Sequence, residues 1–321
     1  MIDNKPKAVT MKDIAQQLGI TTDAVSKALR DCRDISEKTK EKVRKVADEL
    51  GYIPNNVAQS LRKGTTNTIS LIFNDFYNPY FSVFLHKVYN NLNKKGYECQ
   101  LTYCNTSLMN MSDVRNIMVN NFCGIISFVE PTNEVSNFFK NRQIPFTLIG
   151  IKSDYSNIDC IYTDDYSGGQ QVAEYYNAGA FSNALYVSNS LSETSDRRMN
   201  GFKSSCIKPV QCIQYDDFSE EKAYNIIKDQ KIDFLFCFSD SLALLMKAYL
   251  KKKRYQEKIK IIGFDNLHES YPFIQYIDSV GSNIDEIVEF ACDYSIKKIT
   301  NQISCDTKIT KVFPTFLNIK K

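Results

Sequence analysis

Two spacings of apolar residues divide the chain into a short first part and a longer second part. In the first part, apolar side chains recur at every third or fourth position, which places them on one face of a helix. The first such face is Met11, Ile14, Ala15 and Leu18. From Thr68 onward, short continuous apolar runs alternate with amphipathic stretches, as in parallel strands covered by helices. The spacings predict a small all-α part followed by an α/β part.

The first part is predicted to contain three helices. Gly19 can adopt the left-handed backbone of a helix end, and Thr21 can cap the next helix. Ser36 and Gly51 bound a third helix in the same way. A turn this short between two helices is typical of a helix-turn-helix pair. The inward positions of the second and third helices are predicted to be Ala24, Val25, Ala28, Leu29, Val43, Val46, Ala47 and Leu50.

The outward face of the predicted second helix begins with polar side chains. Such side chains can bond to base edges and phosphates when a helix enters the major groove of DNA. The residues concerned are Thr22, Asp23, Ser26 and Lys27. We therefore predict that this face reads DNA.

A short segment after Pro54 and Asn55, VAQSL, could act as a hinge. Because helices this short are marginal in water, we expect it to be ordered only against a partner. Beside a DNA-reading part, that partner would be DNA and a second copy of the segment, with Leu61 wedged into the minor groove. An ordinary linker is the alternative.

The second part is expected to form two lobes with a cleft between them, because 321 residues exceed one compact core. Its predicted strands include TISLIF, GIISFV, FTLIGI, ALYV, FLFCF and IKIIGF. Ligands of parallel sheets bind beyond the carboxyl ends of the strands. The segments there are NDFYNPYF, SDS and DNLHES, and their aromatic, amide and carboxylate groups suit a sugar or a nucleoside. Asp240 is predicted to cap the helix after FLFCF.

The excess of positive over negative charge lies in the first part. Residues 1–63 hold 13 Lys and Arg against 9 Asp and Glu, whereas the net charge of the whole chain is only +3. This modest basic excess is consistent with a nucleic-acid-binding head.

Other features exclude several classes of protein. No run approaches the roughly 20 apolar residues of a membrane span, and the start MIDNKPKAVT lacks a signal peptide's apolar stretch. We expect a cytoplasmic protein without membrane contact. Ten cysteines with no Cys-x-x-Cys pair, and only two histidines, indicate no metal and no cofactor. The thiols are expected to be reduced; a redox pair of Cys99 and Cys104 is the alternative.

Residues 9 to 315 resemble the lactose-repressor/galactose-repressor (LacI/GalR) family of bacterial transcription regulators. The resemblance rests on VTMKDIAQQLG, VSKAL, DISEKTKEKVRKVADELGYIPN, NNVAQSL and the order of elements in the body. It implies a helix-turn-helix DNA-binding head (1–53), a hinge helix and linker (54–67), and a two-lobed, periplasmic-binding-protein-like body with parallel sheets (68–321). It also implies a homodimer on a pseudo-palindromic DNA operator, which represses transcription under allosteric control by a sugar-like or nucleoside-like effector.

The resemblance also assigns roles to individual residues. The DNA-binding residues it implies are Thr10, Thr22, Asp23, Ser26, Lys27, Arg30, Asn55, Ala58 and Leu61. The effector-binding residues it implies are Asn78, Tyr80, Phe81, Arg198, Phe218, Ser239 and Asp265.

Four positions depart from the common family pattern. Lys27 replaces a common Arg and offers a point charge rather than a bidentate fork. Asp23 could accept from a cytosine amino group, and Arg30 stands where many members have Asn. These changes predict an unfamiliar operator. Gly150 replaces an Asp of several sugar- and purine-binding members, which makes a simple hexose bound in the usual way less favoured.

The sequence leaves two alternatives from other protein classes and one within the family. An enzyme is disfavoured because the chain lacks GxSxG, HExxH and P-loop motifs. A solute-binding protein would share the two-lobed body but would need an export signal. Within the family, a protein partner could replace the small effector as the controlling ligand.

Overall fold

A computed structural model describes residues 9–52, 66–119, 121–155, 158–255, 257–271 and 276–319. The chain forms two compact units, Met1–Thr65 and Thr66–Lys321, and each is described by itself. The predicted hinge residues Asn55, Ala58 and Leu61 lie outside the described residues. Their roles, and the boundaries predicted for head, hinge and body, remain predictions.

The first unit contains the three helices that the apolar spacing predicts. They are α1 (Met11–Leu18), α2 (Thr22–Leu29) and α3 (Glu37–Leu50). Gly19 and Gly51 are left-handed, while the Thr21 and Ser36 hydroxyls accept hydrogen bonds from helix backbone amides. The helices enclose a core of Ile14, Ala15, Val25, Ala28, Val43, Val46 and Ala47. Ala24, also expected inside, is only half-buried.

An ordered turn joins α2 to α3. Asp31 has a left-handed backbone (φ 61°), and its carboxylate binds Arg44 at 2.8 Å and the buried Lys40 at 3.3 Å. Ile35 packs against the core of the unit, and the Cys32 amide donates to the Lys27 carbonyl at 3.0 Å. These contacts fix the turn against both helices.

The first lobe of the second unit is built on a six-stranded parallel sheet in the order β13-β7-β6-β4-β1-β2. Successive strand residues face opposite sides, so Leu71 and Ile72 belong to different cores. One core is covered by α4 and α12 and the other by α5 and α6. The strands are β1 (Thr68–Phe73), β2 (Glu98–Tyr103), β4 (Gly124–Ser127), β6 (Phe146–Ile149), β7 (Asp159–Thr163) and β13 (Thr310–Phe313); the helices are α4 (Pro79–Lys94), α5 (Met111–Ile117), α6 (Asn133–Asn141) and α12 (Ile284–Ile299); β3 (Leu108–Met109) and β5 (Glu130–Pro131) form a small separate pair.

The second lobe repeats this plan with the order β14-β12-β11-β10-β8-β9, in which β14 alone is antiparallel to its neighbour. Helices α7 and α8 cover one face, and α9 and α10 cover the other. The strands are β8 (Ala184–Ser188), β9 (Val210–Gln214), β10 (Phe234–Cys237), β11 (Lys260–Phe264), β12 (Asp278–Gly281) and β14 (Phe316–Asn318); the helices are α7 (Asp165–Ala178), α8 (Glu193–Ser205), α9 (Glu220–Asp229), α10 (Asp240–Lys252) and the short α11 (Leu267–Ser270).

The chain passes between the lobes after β7, after β12 and after β13. The predicted α/β architecture of two lobes with parallel sheets is therefore confirmed, and each of the six apolar runs forms a strand. Among the described residues, no helix has the length and apolar character needed to cross a membrane.

The structure argues against a redox pair of Cys99 and Cys104. Cys99 packs against the core under α4 and α12, whereas Cys104 belongs to the core on the opposite face of the sheet. Five residues of extended strand separate two Cα atoms by roughly 16 Å, which is far beyond disulfide range.

Candidate functional site

The outward face of α2 presents the polar side chains expected to read DNA. Thr22, Asp23 and Arg30 are exposed, and Ser26 and Lys27 are half-buried. None of these side chains contributes to the apolar core of the unit, so the face is available to a partner.

Two of the residues implied to bind DNA, Thr10 and Arg30, take part in local hydrogen bonds. The Thr10 amide and hydroxyl both donate to Asp13 Oδ2 at 2.7 Å, which fixes the start of α1. Arg30 Nε donates to the Ser26 carbonyl at 3.1 Å, so the guanidinium lies along the end of α2.

The Lys27 ammonium is held by two carboxylates of the same unit. Its Nζ lies 2.8 Å from Asp34 Oδ2 and 3.5 Å from Asp23 Oδ2. The hydrogen bond to Asp34 is the largest cause that raises the pKa of Lys27, and the same bond lowers the pKa of Asp34. Sequence reasoning did not identify Asp34.

In the second unit, Arg198 of α8 lies buried at the centre of a polar cluster. Its Nε donates to Asp165 Oδ1 at 2.9 Å, and its Nη1 donates to the Phe238 carbonyl at 2.6 Å and to Asp265 Oδ1 at 3.4 Å. The guanidinium carbon lies 3.5 Å from the ring centroid of Phe264. Asp165 is the cluster member that the sequence analysis missed.

Two glycines bring Arg198 to Asp165. A Cβ at Gly169 of α7 would collide with the Arg198 carbonyl oxygen, and a Cβ at Gly201 of α8 would collide with the Tyr166 carbonyl oxygen. Because only glycine lets the two helix backbones approach so closely, the GG of DDYSGG and the G of RMNGF were the available sequence signals.

The cluster places two buried carboxylates against one guanidinium. Burial is the largest cause that raises the pKa of Asp265, to about 7, and Arg198 opposes the rise. Burial also raises the pKa of Asp165, and the positive charge of Arg198 again opposes the rise. Within the described residues, Asp265 Oδ2 accepts no hydrogen bond, so this oxygen can receive a ligand's hydroxyl or amino donor.

Asp240 has a structural role that differs from the predicted one. The cap of α10 is Ser239, whose hydroxyl accepts from the Leu242 amide at 3.2 Å, so the prediction that Asp240 caps this helix is wrong. Asp240 instead lies inside the lobe, where it accepts from Ser279 Oγ at 2.5 Å and from the Leu267 amide at 2.8 Å. Its carboxylate fits because Gly263 has no Cβ to block it.

A turn with unusual backbone angles connects the cluster to the first lobe. Asp265 and Asn266 both have positive φ angles, 116° and 52°, which for side chains other than glycine is unfavourable by about 1–3 kcal/mol each. The next residue, Leu267, is fully buried in the first lobe's core, where α11 contacts α4. We call Asp265–Leu267 the interlobe turn.

The first lobe brings the start of α4 to the same region. Asn78 caps α4 through a bond from the Tyr80 amide at 3.1 Å, and its Oδ1 accepts from Ser241 of the second lobe at 3.4 Å. Burial, followed by the Asp265 carboxylate, raises the pKa of Tyr80, so this hydroxyl lies within electrostatic reach of the Arg198 cluster. Phe81 packs edge-on against Phe128 at 5.2 Å, as part of the lobe's packing.

Of the seven residues implied to bind effector, four therefore lie in the same region. They are Arg198 and Asp265, which contact each other, Tyr80, which lies within their electrostatic reach, and Asn78, which contacts the second lobe. Phe218 packs partly buried against the second lobe's core, and Ser239 uses its hydroxyl to cap α10. Gly150 has φ +80°, a backbone conformation that favours glycine.

Comparison with known proteins supplies further findings. Residues 10–55 match the family model for bacterial regulatory proteins of the lacI family. The chain is 25% identical over 311 residues to the HTH-type transcriptional repressor PurR of Aliivibrio salmonicida (strain LFI1238), covering 91% of this chain and 93% of that protein. It is 28% identical over 277 residues to PurR of Vibrio atlanticus (strain LGP32), covering 80% and 82%. Both relatives are HTH-type transcriptional repressors.

Solved structures share the fold. The lac repressor dimer bound to operator and the anti-inducer ONPF matches with a TM-score of 0.79 and 19% identity, over 98% of each chain. A LacI family regulator from Enterococcus faecium with bound ribose matches with a TM-score of 0.66 and 19% identity, over 78% of this chain and 97% of that one. Residues 10–55 thus match the lacI family of bacterial regulatory proteins, the chain as a whole is similar in sequence to PurR repressors, and its fold is that of the lac repressor.

Proposed function

We propose that this regulator represses transcription by binding a specific DNA operator as a homodimer, and that a small sugar-like or nucleoside-like effector sets its operator affinity. The observation that supports this proposal is that one chain combines an exposed polar face on a helix-turn-helix head with a buried arginine cluster in the second lobe, within electrostatic reach of Tyr80 in the first lobe.

In the head, α2 enters the major groove of the operator. Base edges are contacted by Thr22, Asp23, Ser26 and Lys27. The DNA phosphate backbone on either side is contacted by Thr10 and Arg30. The hinge residues Asn55, Ala58 and Leu61 pair with those of the second subunit in the minor groove, with Leu61 wedged between base pairs. Two heads related by a twofold axis require a pseudo-palindromic site. Such a role places the protein in the cytoplasm with the chromosome.

In the body, the effector binds between the lobes. Asp265 Oδ2 accepts hydrogen bonds from the ligand's hydroxyl or amino groups, while Arg198 is fixed by Asp165 and by the Phe264 ring. Tyr80 and Phe81 supply aromatic surface from the first lobe, Asn78 adds an amide, and Phe218 and Ser239 complete the second lobe's side. The relative from Enterococcus faecium holds ribose, which supports a ligand of this size and polarity.

The interlobe turn links this site to the first lobe. A ligand that bonds to Asp265 changes the balance of contacts at a residue only two positions before Leu267, which is anchored in the first lobe's core. Because each hinge segment leads along the chain into β1 of the first lobe, we infer that a change in lobe angle alters the spacing of the two hinges. Effector and operator then act on the same two-state element.

The decisive experiment selects DNA from a random library with the purified chain, then measures operator affinity with ribose, glucose, adenosine, guanosine and sugar phosphates. We expect a palindrome whose affinity shifts with one compound. Arg198→Ala should remove that shift, whereas Arg115→Ala, an exposed arginine on α5, should retain it. No selected palindrome would contradict the DNA-reading role. A palindrome whose affinity responds only to an added protein would replace the small effector by a protein partner, and turnover of a bound compound would indicate an enzyme.

A further inference from the structure

The carboxylate of Asp34 lies where it can compete with DNA for the Lys27 ammonium. The turn from α2 to α3 is fixed by Asp31, which binds Arg44 and Lys40 on α3, and by the Ile35 side chain in the core. This turn directs Asp34 back onto α2, where its Oδ2 lies 2.8 Å from Lys27 Nζ. The contact is therefore built by the fold of the turn rather than by neighbouring positions on one helix.

The pair is weak enough to exchange with DNA. The side chain of Lys27 is 37% exposed and that of Asp34 is 56% exposed, and ion pairs between exposed side chains contribute little to stability. Binding to DNA can therefore replace Asp34 as the partner of Lys27, provided that the DNA offers acceptors of equal or better geometry.

Different DNA sequences offer Lys27 different acceptors. Every sequence presents phosphates, whose attraction for free cations is independent of base sequence. A guanine in the major groove presents two neighbouring acceptors, O6 and N7, to a lysine in register. An ammonium already neutralised by Asp34 gains little from a single phosphate, and the Asp34 carboxylate itself repels phosphate.

We propose that Asp34 is a specificity-determining residue of the head: it holds the Lys27 ammonium away from phosphates, so that Lys27 contributes to operator binding but little to the binding of arbitrary DNA. This inference rests on the proposed DNA-reading role of α2. Asp34 acts through Lys27 and is a positioning residue, not itself a reader of bases.

The test compares Asp34→Asn with Asp48→Asn in the full chain. Asp48 is an exposed acid on α3, so its substitution makes the same change in net charge but leaves both carboxylates on Lys27, whereas Asp34→Asn leaves only Asp23, at 3.5 Å. Affinity is measured for a random-sequence 30-base-pair duplex and for the operator selected from a library, each across a series of salt concentrations.

We expect Asp34→Asn to raise affinity for the random duplex about fivefold more than Asp48→Asn does, on the order of what an exposed ion pair contributes. Operator affinity should change by less than about twofold, so the specificity ratio falls. The slope of log affinity against log salt for the random duplex should steepen by up to about 0.9 for each head that gains one phosphate contact.

Lys27→Ala provides the second comparison. In a Lys27→Ala background, Asp34→Asn should act no differently from Asp48→Asn, because the ammonium that Asp34 holds is gone. An equal effect of the two Asn variants in the wild-type background would overturn the proposal, as would an Asp34→Asn effect that persists without Lys27. Failure to select any operator would contradict the proposed function, while the random-duplex comparison would still decide the role of Asp34.

Discussion

Arg198 carries a buried positive charge between the buried carboxylates of Asp165 and Asp265. Removing one partner of such a cluster leaves uncompensated charge in a region that excludes water, which typically lowers stability by about 3–5 kcal/mol. We therefore expect Arg198→Met to lower the free energy of unfolding of the second unit by this amount, as measured by chemical denaturation. The effector role of Arg198 is thus tested only in variants shown to fold.

Two variants make this expectation specific. Arg115→Met, which removes an exposed arginine, should change the free energy of unfolding by less than about 0.5 kcal/mol. Adding Asp165→Asn to Arg198→Met should recover part of the loss, because one unpaired charge disappears. Equal stability of the Arg198 and Arg115 variants would show that the cluster is not a stabilising unit.

The same residues predict how stability depends on pH. Burial, as the largest cause, raises the pKa of Asp265 to about 7, compared with about 3.9 in an unfolded chain. Between these values the folded protein binds more protons than the unfolded protein, so the free energy of unfolding falls as pH rises and levels off above about pH 7. Burial raises the pKa values of Asp165 and Asp240 in the same direction.

Denaturation of Asp265→Asn from pH 4 to 8 checks this prediction. We expect a shallower fall than in the wild-type chain, because one of the groups that bind protons on folding has been removed. Asp48→Asn should keep the wild-type slope. An Asp265→Asn slope as steep as the wild-type slope would mean that Asp265 does not titrate in this window.

At the scale of elements, the close approach of α7 and α8 forms the arginine cluster. Gly201→Ala would place a methyl group against the backbone of Tyr166, and backbone cannot move aside as a flexible side chain can. We expect the helices to separate, with a loss of about 1–3 kcal/mol in the free energy of unfolding. Lys203→Ala, an exposed change on the same helix, should cost less than about 0.5 kcal/mol. If Gly201→Ala and Lys203→Ala lower the free energy of unfolding equally, the close backbone contact at Gly201 does not account for the loss.

Apolar spacing predicted the elements well because each one is encoded locally. The run TISLIF becomes β1, and Gly19 and Gly51 end helices with left-handed backbones. The candidate site was only partly accessible in this way. Asp165 and Asp34 gain their partners through contacts between elements distant in sequence or across a turn, and apolar spacing carries no information about such contacts.

The choice of Ser239 rather than Asp240 as the cap of α10 shows the same limit. Both residues can cap a helix, and the sequence alone does not say which side chain turns inward. The choice depends on Ser279 and on the missing side chain of Gly263, which together provide room and a hydrogen-bond donor for Asp240.

At the scale of the whole molecule, the proposed regulation requires that effector and operator influence each other equally. If an effector changes operator affinity by a given factor, the operator must change effector affinity by the same factor. Leu267, on the interlobe turn, is the anchor through which we expect this coupling to pass. We therefore predict that Leu267→Ala reduces both fold-changes equally, so that each approaches a value of one. The effect of effector on operator affinity is measured by operator titration with and without effector, and the reverse effect by effector titration with and without operator.

Leu250→Ala is the matched control for this prediction. Leu250 is a residue of α10 whose side chain is buried in the second lobe's core, so its truncation also leaves a cavity and should cost a similar loss of about 2–5 kcal/mol. Because Leu250 does not join the lobes, both coupling factors should stay at their wild-type values. If Leu250→Ala reduces the factors as much as Leu267→Ala does, the loss follows from general destabilisation. If Leu267→Ala leaves them unchanged, the lobes are coupled elsewhere, and the contacts Asn78–Ser241 and Thr194–Gly150 between the lobes are the next to substitute.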